Sequence, residues 1–254
     1  MEDLQAVVTT APSGDPAEAA ELAARFGLRC EGRAGRPLRE IIAGAGAPVL
    51  VLAARRADLH QLERVYRAGP GMALLRVLRA RRGESDPIVE VAGLGPGERV
   101  LDATLGLGGD ALVAAHATGA PVVGIEADGL LAAFTAAGLR RVPGPAREAA
   151  RRIEVVRADH RQFLEAQPAG SFDVVLFDPM FRRAREAGPQ FELLRAHAED
   201  APLDSATLLQ ARRVARRGVL VKDAAPGHEL HRLGLVPRLS RRSAAIAFGW
   251  ADSR

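Results

Sequence analysis

The sequence predicts an α/β fold in which a mainly parallel sheet ends in an antiparallel hairpin and is preceded by a smaller α/β unit. From about residue 89 onward, short apolar runs alternate with helical stretches, which is typical of parallel strands joined by crossover helices. Near the end of the chain, only Ser240–Ser243 separates two β-prone runs, and so short a connection predicts antiparallel neighbours. A chain of 254 residues, 48% of them hydrophobic, is long enough to bury the core of such an arrangement.

The larger unit is predicted at residues 89–254, where strands and helices alternate. Strands are predicted at 99–103, 121–125, 153–157, 172–177, 218–221, 235–239 and 244–250. Helices are predicted at about 109–118, 128–138, 160–166 and 204–216.

Residues 1–57 are predicted to form a small α/β unit of their own. Its expected elements are a strand at 6–10, helices at 17–26 and 37–43, and a buried strand at 49–52. Residues 58–88 are predicted to be a mostly helical connector that ends in a polar linker at 81–87.

The composition favours a cytoplasmic protein without disulfides, metal or membrane anchor. Cys30 is the only cysteine, which fits a reducing compartment. The start, Met1–Asp3, lacks the basic segment of a secretory signal, and the longest apolar stretch, Pro48–Ala54, is too short to span a bilayer. The histidines show no spacing typical of metal ligands, so no metal is expected.

A glycine-rich turn follows the first strand of the larger unit, within Val100–Asp110, and leads into a predicted helix. Glycines let the backbone adopt positive φ and pass close to a ligand. A dinucleotide is one candidate ligand, but Ala111 replaces the last glycine of the Gly-x-Gly-x-x-Gly fingerprint. The flanking carboxylates would repel a pyrophosphate but suit the ammonium of S-adenosylmethionine; a plain strand–helix turn is the alternative. The candidate cofactor-binding residues here are Asp102, Gly106, Gly108, Gly109 and Asp110.

Acidic residues also follow the next two strands. Glu126 stands at the end of the second strand, 24 residues after Asp102, where a carboxylate can accept hydrogen bonds from both ribose hydroxyls. Asp159 follows the third strand and could accept from the adenine amino group, while its place before a helix also suits an N-cap. The alternative for Glu126 is a solvated strand end. Because ligands of open α/β sheets bind at the carboxyl ends of the strands, we expect these acids to surround one site.

The fourth strand ends in Asp178–Phe181, with the sequence Asp-Pro-Met-Phe. This tetrapeptide resembles the D/N-P-P-Y/F motif of methyltransferases that act on amines conjugated to nucleobases. Such an amine is a poor nucleophile, and acceptors on its two N–H bonds, the Asp178 carboxylate and the Pro179 carbonyl, can aim its lone pair at the sulfonium methyl. Phe181 offers a face on which a flipped base can stack. The alternative is a strand-ending Asp-Pro turn with a core phenylalanine.

Arginine supplies almost all of the positive charge. Of 35 basic residues only Lys222 is a lysine, and the net charge is +4. Because guanidinium groups pair with phosphates and stack on bases, RNA is the expected partner. The arginines that directly follow the Asp-Pro-Met-Phe motif, Arg182, Arg183 and Arg185, are the candidate phosphate contacts. Lys222 ends a predicted strand and is a candidate substrate-binding residue; chance survival of a surface lysine is the alternative.

Together these blocks resemble the class I methyltransferases related to the bacterial small-subunit ribosomal RNA guanine-N2 methyltransferase of the J type. The resemblance covers about residues 60–250 and is carried by Leu101–Asp110, Asp178–Phe181 and Val219–Lys222. It implies a Rossmann-like sheet with a C-terminal antiparallel hairpin, and S-adenosylmethionine as cofactor. The cofactor contacts that it implies are at Gly109, Asp110, Glu126, Ala127, Asp159, His160 and Asp178. The N-terminal unit resembles that of uncharacterised Gram-positive relatives.

The sequence thus predicts an S-adenosylmethionine-dependent methyltransferase that acts on the exocyclic amine of a nucleobase, with guanine N2 in small-subunit ribosomal RNA as the first candidate. Adenine, DNA or a protein amide are alternative substrates, since related motifs serve all three. An alternative of another class is a non-catalytic RNA-binding or assembly factor that keeps the fold.

Overall fold

The computed structural model describes residues 6–179, 202–240 and 243–253. In these ranges the helices are α1 Pro16–Phe26, α2 Leu38–Gly44, α3 Ala73–Ala80, α4 Pro87–Ala92, α5 Gly109–Thr118, α6 Gly129–Arg140, α7 Arg147–Arg151, α8 His160–Ala166, α9 Ser205–Val214 and α10 His228–Arg232. The strands are β1 Val7–Thr10, β2 Arg29–Cys30, β3 Val49–Leu52, β4 Ala57–Gln61, β5 Arg64–Arg67, β6 Val100–Asp102, β7 Val122–Glu126, β8 Ile153–Arg157, β9 Phe172–Phe177, β10 Ala215–Ala224, β11 Arg238–Ser240 and β12 Ser243–Asp252.

The larger sheet has the strand order β11-β12-β10-β9-β6-β7-β8. The strands from β10 to β8 run parallel, whereas β12 is antiparallel to both β10 and β11. The predicted mixed sheet with a closing hairpin is therefore confirmed. The last strand of the hairpin inserts between β10 and β11, which places β12 inside the sheet and β11 at its edge.

Helices cover both faces of the larger sheet. Buried side chains of α4, α5, α6 and α7 belong to one hydrophobic cluster, and those of α8, α9 and α10 belong to another. The central strands are apolar on both faces because both are covered; in β9, Val174 and Leu176 face the first cluster while Val175 and Phe177 face the second.

The N-terminal unit is built on a second sheet, of order β2-β1-β3-β4-β5. Strands β2, β1 and β3 are parallel, while β4 and β5 form an antiparallel hairpin on β3. The expectation that residues 58–88 are mostly helical is therefore wrong for their first part, since the sheet continues to Arg67. The turn of the hairpin holds Leu62 at φ 53°, and without a glycine, asparagine or aspartate there the sequence carries no hairpin signal.

The rest of the predicted elements agree with the structure to within a few residues, with β10 longer than expected. The short elements β2, α4, α7 and α10 were not predicted. Short segments of this kind are defined by their tertiary contacts more than by hydrophobic periodicity, which needs a longer window.

The N-terminal unit packs firmly against α6 of the larger unit. Val8, Phe26 and Leu59 share one buried cluster with Leu112 and Phe134. At the C-terminal end of α6, Arg141 forms a two-armed ion pair with Glu18 of α1, at 2.8 and 2.7 Å. In the same region a Cβ on Gly138 would lie 2.7 Å from the backbone nitrogen of Gly69, so this close helix contact requires glycine.

No helix within the described residues is long and apolar enough to cross a bilayer.

Candidate functional site

The predicted acidic residues meet at the carboxyl edge of the larger sheet. Asp102 and Glu126 are the last residues of the neighbouring strands β6 and β7. Asp159 follows β8, which pairs with β7, and Asp178 follows β9, which pairs with β6. The topology therefore gathers four carboxylates from four adjacent strands at the edge where open α/β sheets bind ligands.

The glycine-rich turn crosses this edge between β6 and α5. Gly106 and Gly108 have φ of 50° and 72°, a left-handed conformation that glycine adopts without a Cβ clash. The turn is fixed at three points. The Leu105 N–H donates to the Ile125 carbonyl at 2.9 Å, the Gly106 carbonyl accepts from the Thr135 hydroxyl at 2.6 Å, and the Gly106 N–H donates to Glu126 at 3.1 Å.

Glu126 lies beneath the turn and joins it to the start of α6. Its Oε2 accepts the Gly106 N–H and its Oε1 accepts the Asp128 N–H, both at 3.1 Å. Burial raises the pKa of Glu126 to about 7, although the hydrogen bonds from the backbone N–H groups of Asp128 and Gly106 oppose that shift. Each carboxylate oxygen has a further lone pair with which it can accept from a ligand.

Asp102 is almost completely buried, with 2% of its surface exposed. Its Oδ1 accepts the Thr104 N–H at 3.2 Å. Burial, and next the negative charge of Asp110, raise the pKa of Asp102 to about 7. A cationic ligand group beside this buried carboxyl group would stabilise its ionised form.

The third strand end combines a helix cap with an aromatic contact. Asp159 caps α8 by accepting the Arg161 N–H at 2.7 Å, so its N-cap alternative is confirmed. The His160 ring packs edge-on against Phe177, with ring centres 5.8 Å apart. Ala127 lies between β7 and the Asp128 cap of α6.

Asp178 projects from the end of β9 and is held at its backbone and at its side chain. Its N–H donates to the Thr104 hydroxyl oxygen at 2.7 Å. Its Oδ2 accepts from the Lys222 ammonium of β10. The Asp178 side chain is nevertheless 47% exposed, and Pro179 follows it at the rim of the site. The Asp178 carboxylate is therefore both anchored and open to a ligand.

Lys222 belongs to a row of alternating charges that we call the ion chain, formed by Asp86, Arg76, Asp110, Lys222 and Asp178. Lys222 Nζ donates to Oδ2 of Asp110 at 2.7 Å as well as to Asp178. Arg76 Nη1 donates to Oδ1 of Asp110 at 2.6 Å. Arg76 also grips Asp86 with its Nε and Nη2, both at 2.8 Å.

The central charges of the ion chain, at Asp110 and Lys222, stabilise each other in their ionised forms, whereas burial raises the pKa of Asp178 against the opposing charge of Lys222. Burial disfavours the Lys222 ammonium, but Asp110 and Asp178 outweigh burial and raise the pKa of Lys222. Burial likewise opposes ionisation of Asp110, but Lys222 and Arg76 outweigh it and lower the pKa of that carboxyl group. Lys222 therefore lies between Asp110 and Asp178, and both oxygens of Asp110 are occupied by cations of the protein. The role of Lys222 in substrate binding stays a prediction.

The remaining predicted site residues lie outside the described part of the chain. These are Phe181 and the arginines Arg182, Arg183 and Arg185. Among the described residues, no group of three or more histidines, cysteines or acids is placed to hold a metal ion.

Two functional candidates were missed by the sequence reasoning. Thr104 stands inside the glycine-rich block, where its hydroxyl could have been noted as a polar group between two acids. Arg76 carries no such signal because it is one of many arginines and belongs to a helix of the connector. Only the packing of α3 on α5 brings Arg76 to Asp110.

Comparison with known proteins adds the family to this geometry. Residues 51–235 match the SAM_MT family, described as "Putative SAM-dependent methyltransferase". The chain belongs to the SAM_MT family. S-adenosylmethionine is accordingly its cofactor, and the carboxylate-rich strand edge with its glycine turn suits the ammonium, ribose and adenine amine of that molecule.

Two relatives extend over most of this methyltransferase. The uncharacterized protein YpiP of Bacillus subtilis is 33% identical over 224 residues, which cover 86% of this chain and 87% of YpiP. Ribosomal RNA small subunit methyltransferase J of Nitrosococcus oceani is 33% identical over 235 residues, or 85% of this chain and 89% of that protein. The J protein of Alkalilimnicola ehrlichii is 37% identical, over 63% of each chain. The predicted resemblance to the J family is confirmed.

A solved structure shares the complete fold of this SAM_MT protein. The SAM-dependent methyltransferase NGO1261 from Neisseria gonorrhoeae superposes with a TM-score of 0.66 and 20% identity, covering 97% of this chain and 96% of its own. The likeness includes the N-terminal unit, because so large a coverage leaves almost none of the chain unmatched.

Proposed function

We propose that this methyltransferase transfers the methyl group of S-adenosylmethionine to the exocyclic N2 amine of a guanine in small-subunit ribosomal RNA, in the cytoplasm. The observation that carries the proposal is the Asp178 carboxylate, which is anchored by Thr104 and Lys222 yet half-exposed at the strand edge. The relatives named ribosomal RNA small subunit methyltransferase J support the choice of RNA.

The cofactor would lie along the strand edge from β8 to β6. Glu126 would accept hydrogen bonds from the ribose hydroxyls, with Ala127 beside it. Asp159 and His160 would face the adenine. The methionine end would reach the glycine-rich turn, where the buried Asp102 carboxylate suits the α-ammonium. Gly106, Gly108, Gly109 and Asp110 form the turn and helix start around it.

The target amine would donate its N–H bonds to the Asp178 carboxylate and the Pro179 carbonyl. Those two acceptors direct the nitrogen lone pair toward the sulfonium methyl, and they favour the tetrahedral nitrogen that forms in the transition state. The methyl group then moves from sulfur to nitrogen, and the methylated amine loses its extra proton after transfer. In-line placement of donor and acceptor supplies much of the rate, so no general base with a shifted pKa is required.

Phe181 would stack on the flipped base, and Arg182, Arg183 and Arg185 would bind phosphates next to it. Lys222 would help to bind the substrate by holding Asp178 in its ionised form. The arginine-rich surface, with a net charge of +4 for the chain, is compatible with an RNA partner.

The experiment that tests this function is nucleoside mass spectrometry of ribosomal RNA from a deletion strain, before and after treatment with the purified protein and S-adenosylmethionine. The expected product is a guanine methylated on its exocyclic amine at one position of small-subunit RNA. A product on adenine or ribose would overturn the guanine assignment, and methylation of DNA or of a protein amide alone would overturn the RNA assignment. Tight RNA binding without release of S-adenosylhomocysteine on any RNA would instead indicate a non-catalytic assembly factor.

A further inference from the structure

The ion chain links the candidate acceptor Asp178 to α3, a helix that precedes the first strand of the larger sheet in the chain. Arg76 belongs to α3, which lies between the N-terminal sheet and α4 in the chain. Helix α3 packs directly on the start of α5, where a Cβ on Gly109 would lie 3.7 Å from the Cβ of Ala73. Arg76 thereby contacts the buried Asp110 from α3, while Lys222 contacts it from β10.

The two carboxylates that share Lys222 differ in their exposure to solvent. Asp110 is 9% exposed and Asp178 is 47% exposed. An ion pair is stronger where water is excluded, so an unassisted Asp110 would draw the single ammonium toward itself and away from Asp178. Arg76 satisfies the other oxygen of Asp110 and leaves Lys222 able to contact both carboxylates.

Arg76 is itself fixed in place. Its Nε and Nη2 donate to Asp86, a buried carboxylate that is 6% exposed. Asp86 also caps α4 by accepting the Ile88 N–H at 3.1 Å. A guanidinium held by two carboxylates in this planar, three-contact arrangement cannot be replaced by the point charge of a lysine.

We propose that Arg76 is a positioning residue for methyl transfer, which acts through Asp110 to keep Lys222 on the Asp178 carboxylate. The inference rests on the function proposed above, because it assigns the amine acceptor to Asp178. Arg76 touches neither the amine nor the methyl donor in this scheme. It sets the orientation of Asp178 before the target base arrives, as preorganised acceptors require.

The kinetic test compares Arg76→Gln with the wild-type protein on unmethylated substrate RNA from the deletion strain. We expect kcat to fall about 10- to 100-fold, as for a misplaced reacting group, while the affinity for S-adenosylmethionine stays within about threefold. Arg141→Gln is the matched control. Arg141 is a buried arginine that also pairs with a carboxylate through two hydrogen bonds, and it lies at the C-terminal end of α6, outside the ion chain. The control should keep the wild-type kcat when circular dichroism shows that the two proteins are folded to the same extent.

Lys222 provides a readout that does not depend on activity, because it is the only lysine of the chain. In untagged protein grown with lysine labelled with ¹³C at Cε, NMR gives one lysine resonance. We expect this resonance to shift in Arg76→Gln and to keep its position in Arg141→Gln. Asp86→Asn serves as a second variant if Arg76→Gln fails to fold, since asparagine keeps the α4 cap but loosens the grip on Arg76.

The outcomes separate this inference from the proposed function. If the variants at Arg76 or Asp86 turn over like wild type and leave the Lys222 resonance in place, Arg76 has no positioning role, whatever the substrate is. A resonance that shifts equally in Arg141→Gln would also overturn the inference, because the change would then report general loosening. If the wild type methylates no RNA, the proposed function fails, while the Lys222 resonance still decides whether Arg76 controls the ion chain.

Discussion

The hydroxyl oxygen of Thr104 accepts the backbone N–H of Asp178 at 2.7 Å, and this bond joins the glycine-rich turn after β6 to the end of β9. The cofactor turn and the candidate acceptor are therefore fixed relative to each other by one side chain. Thr104 also donates its own N–H to Asp102, so three polar residues of the site form one connected group.

Replacing Thr104 tests whether this link positions Asp178. Thr104→Val keeps the shape but removes the acceptor, and it leaves the Asp178 N–H without its partner. We expect turnover at saturating cofactor to fall about tenfold, in line with a loss of roughly 1–3 kcal/mol for an unsatisfied polar group. Thr104→Ser keeps the hydroxyl and is the matched control, which should retain nearly wild-type turnover in the same methyl-transfer assay.

Changes at Asp178 test the proposed chemistry directly. Asp178→Ala removes the acceptor for the target amine and should lower turnover about 100-fold or more, as for the loss of one preorganised polar group. Asp178→Asn keeps one amide oxygen that can accept a hydrogen bond, so part of the activity should survive. Turnover is measured at saturating S-adenosylmethionine, because affinity for the cofactor can also fall. Wild-type turnover in Asp178→Ala would refute the catalytic assignment.

Glu126 is expected to hold the ribose. Glu126→Ala should cost about 2–4 kcal/mol of binding free energy for S-adenosylmethionine, the value of two charge-assisted hydrogen bonds, as measured by calorimetry. Glu154→Ala is the control, since this exposed acid lies on the neighbouring strand β8 away from its carboxyl end. The affinity should also fall about tenfold from pH 8 to pH 6, because a pKa of about 7 leaves the carboxyl group mostly neutral at pH 6. Unchanged affinity in Glu126→Ala would remove Glu126 from the site.

Asp102 should reduce stability at alkaline pH in the absence of cofactor. Its pKa of about 7 in the folded protein lies above the usual value. Ionisation of the buried carboxyl group therefore lowers the free energy of unfolding, an effect that is absent at pH 4 and complete above pH 7. Asp102→Asn keeps the acceptor for Thr104 and removes the charge. We therefore expect it to raise the free energy of unfolding by about 1–3 kcal/mol at pH 8 and by less at pH 5. Denaturant titrations at both pH values check this; a gain that does not grow with pH would argue against burial of a charged Asp102.

The arginines after the Asp-Pro-Met-Phe motif are expected to contact phosphate. Changing Arg182, Arg183 and Arg185 together to glutamine should weaken RNA binding, and each lost contact should reduce the log–log salt slope by about 0.7–0.9. The same change at Arg33, Arg36 and Arg39 of the N-terminal unit removes equal charge and is the control. Equal slopes for wild type and the first triple variant would mean that these arginines are only solvated.

The larger sheet and the acids at its carboxyl edge could be predicted from the amino-acid pattern alone. Short apolar runs such as Phe172–Phe177, alternating with helical stretches, indicate parallel strands covered on both faces, and the short Ser240–Ser243 connection indicates a hairpin. Once the strands are parallel, their carboxyl ends must share an edge, so Asp102, Glu126 and Asp178 could be placed together from the chain alone.

The partners of those acids and the end of the N-terminal sheet became visible only in the folded chain. The hairpin of β4 and β5 turns at Leu62, whose residue type gives no turn signal, and only pairing with β3 reveals the strands. Likewise, Arg76 reaches Asp110 across 34 positions of sequence, and Lys222 reaches it across 112. Ion pairs between distant residues leave no periodic pattern in a sequence. The strength of an ion pair depends on the distance between the charges and on their burial, and both are set only when the helices and strands have packed.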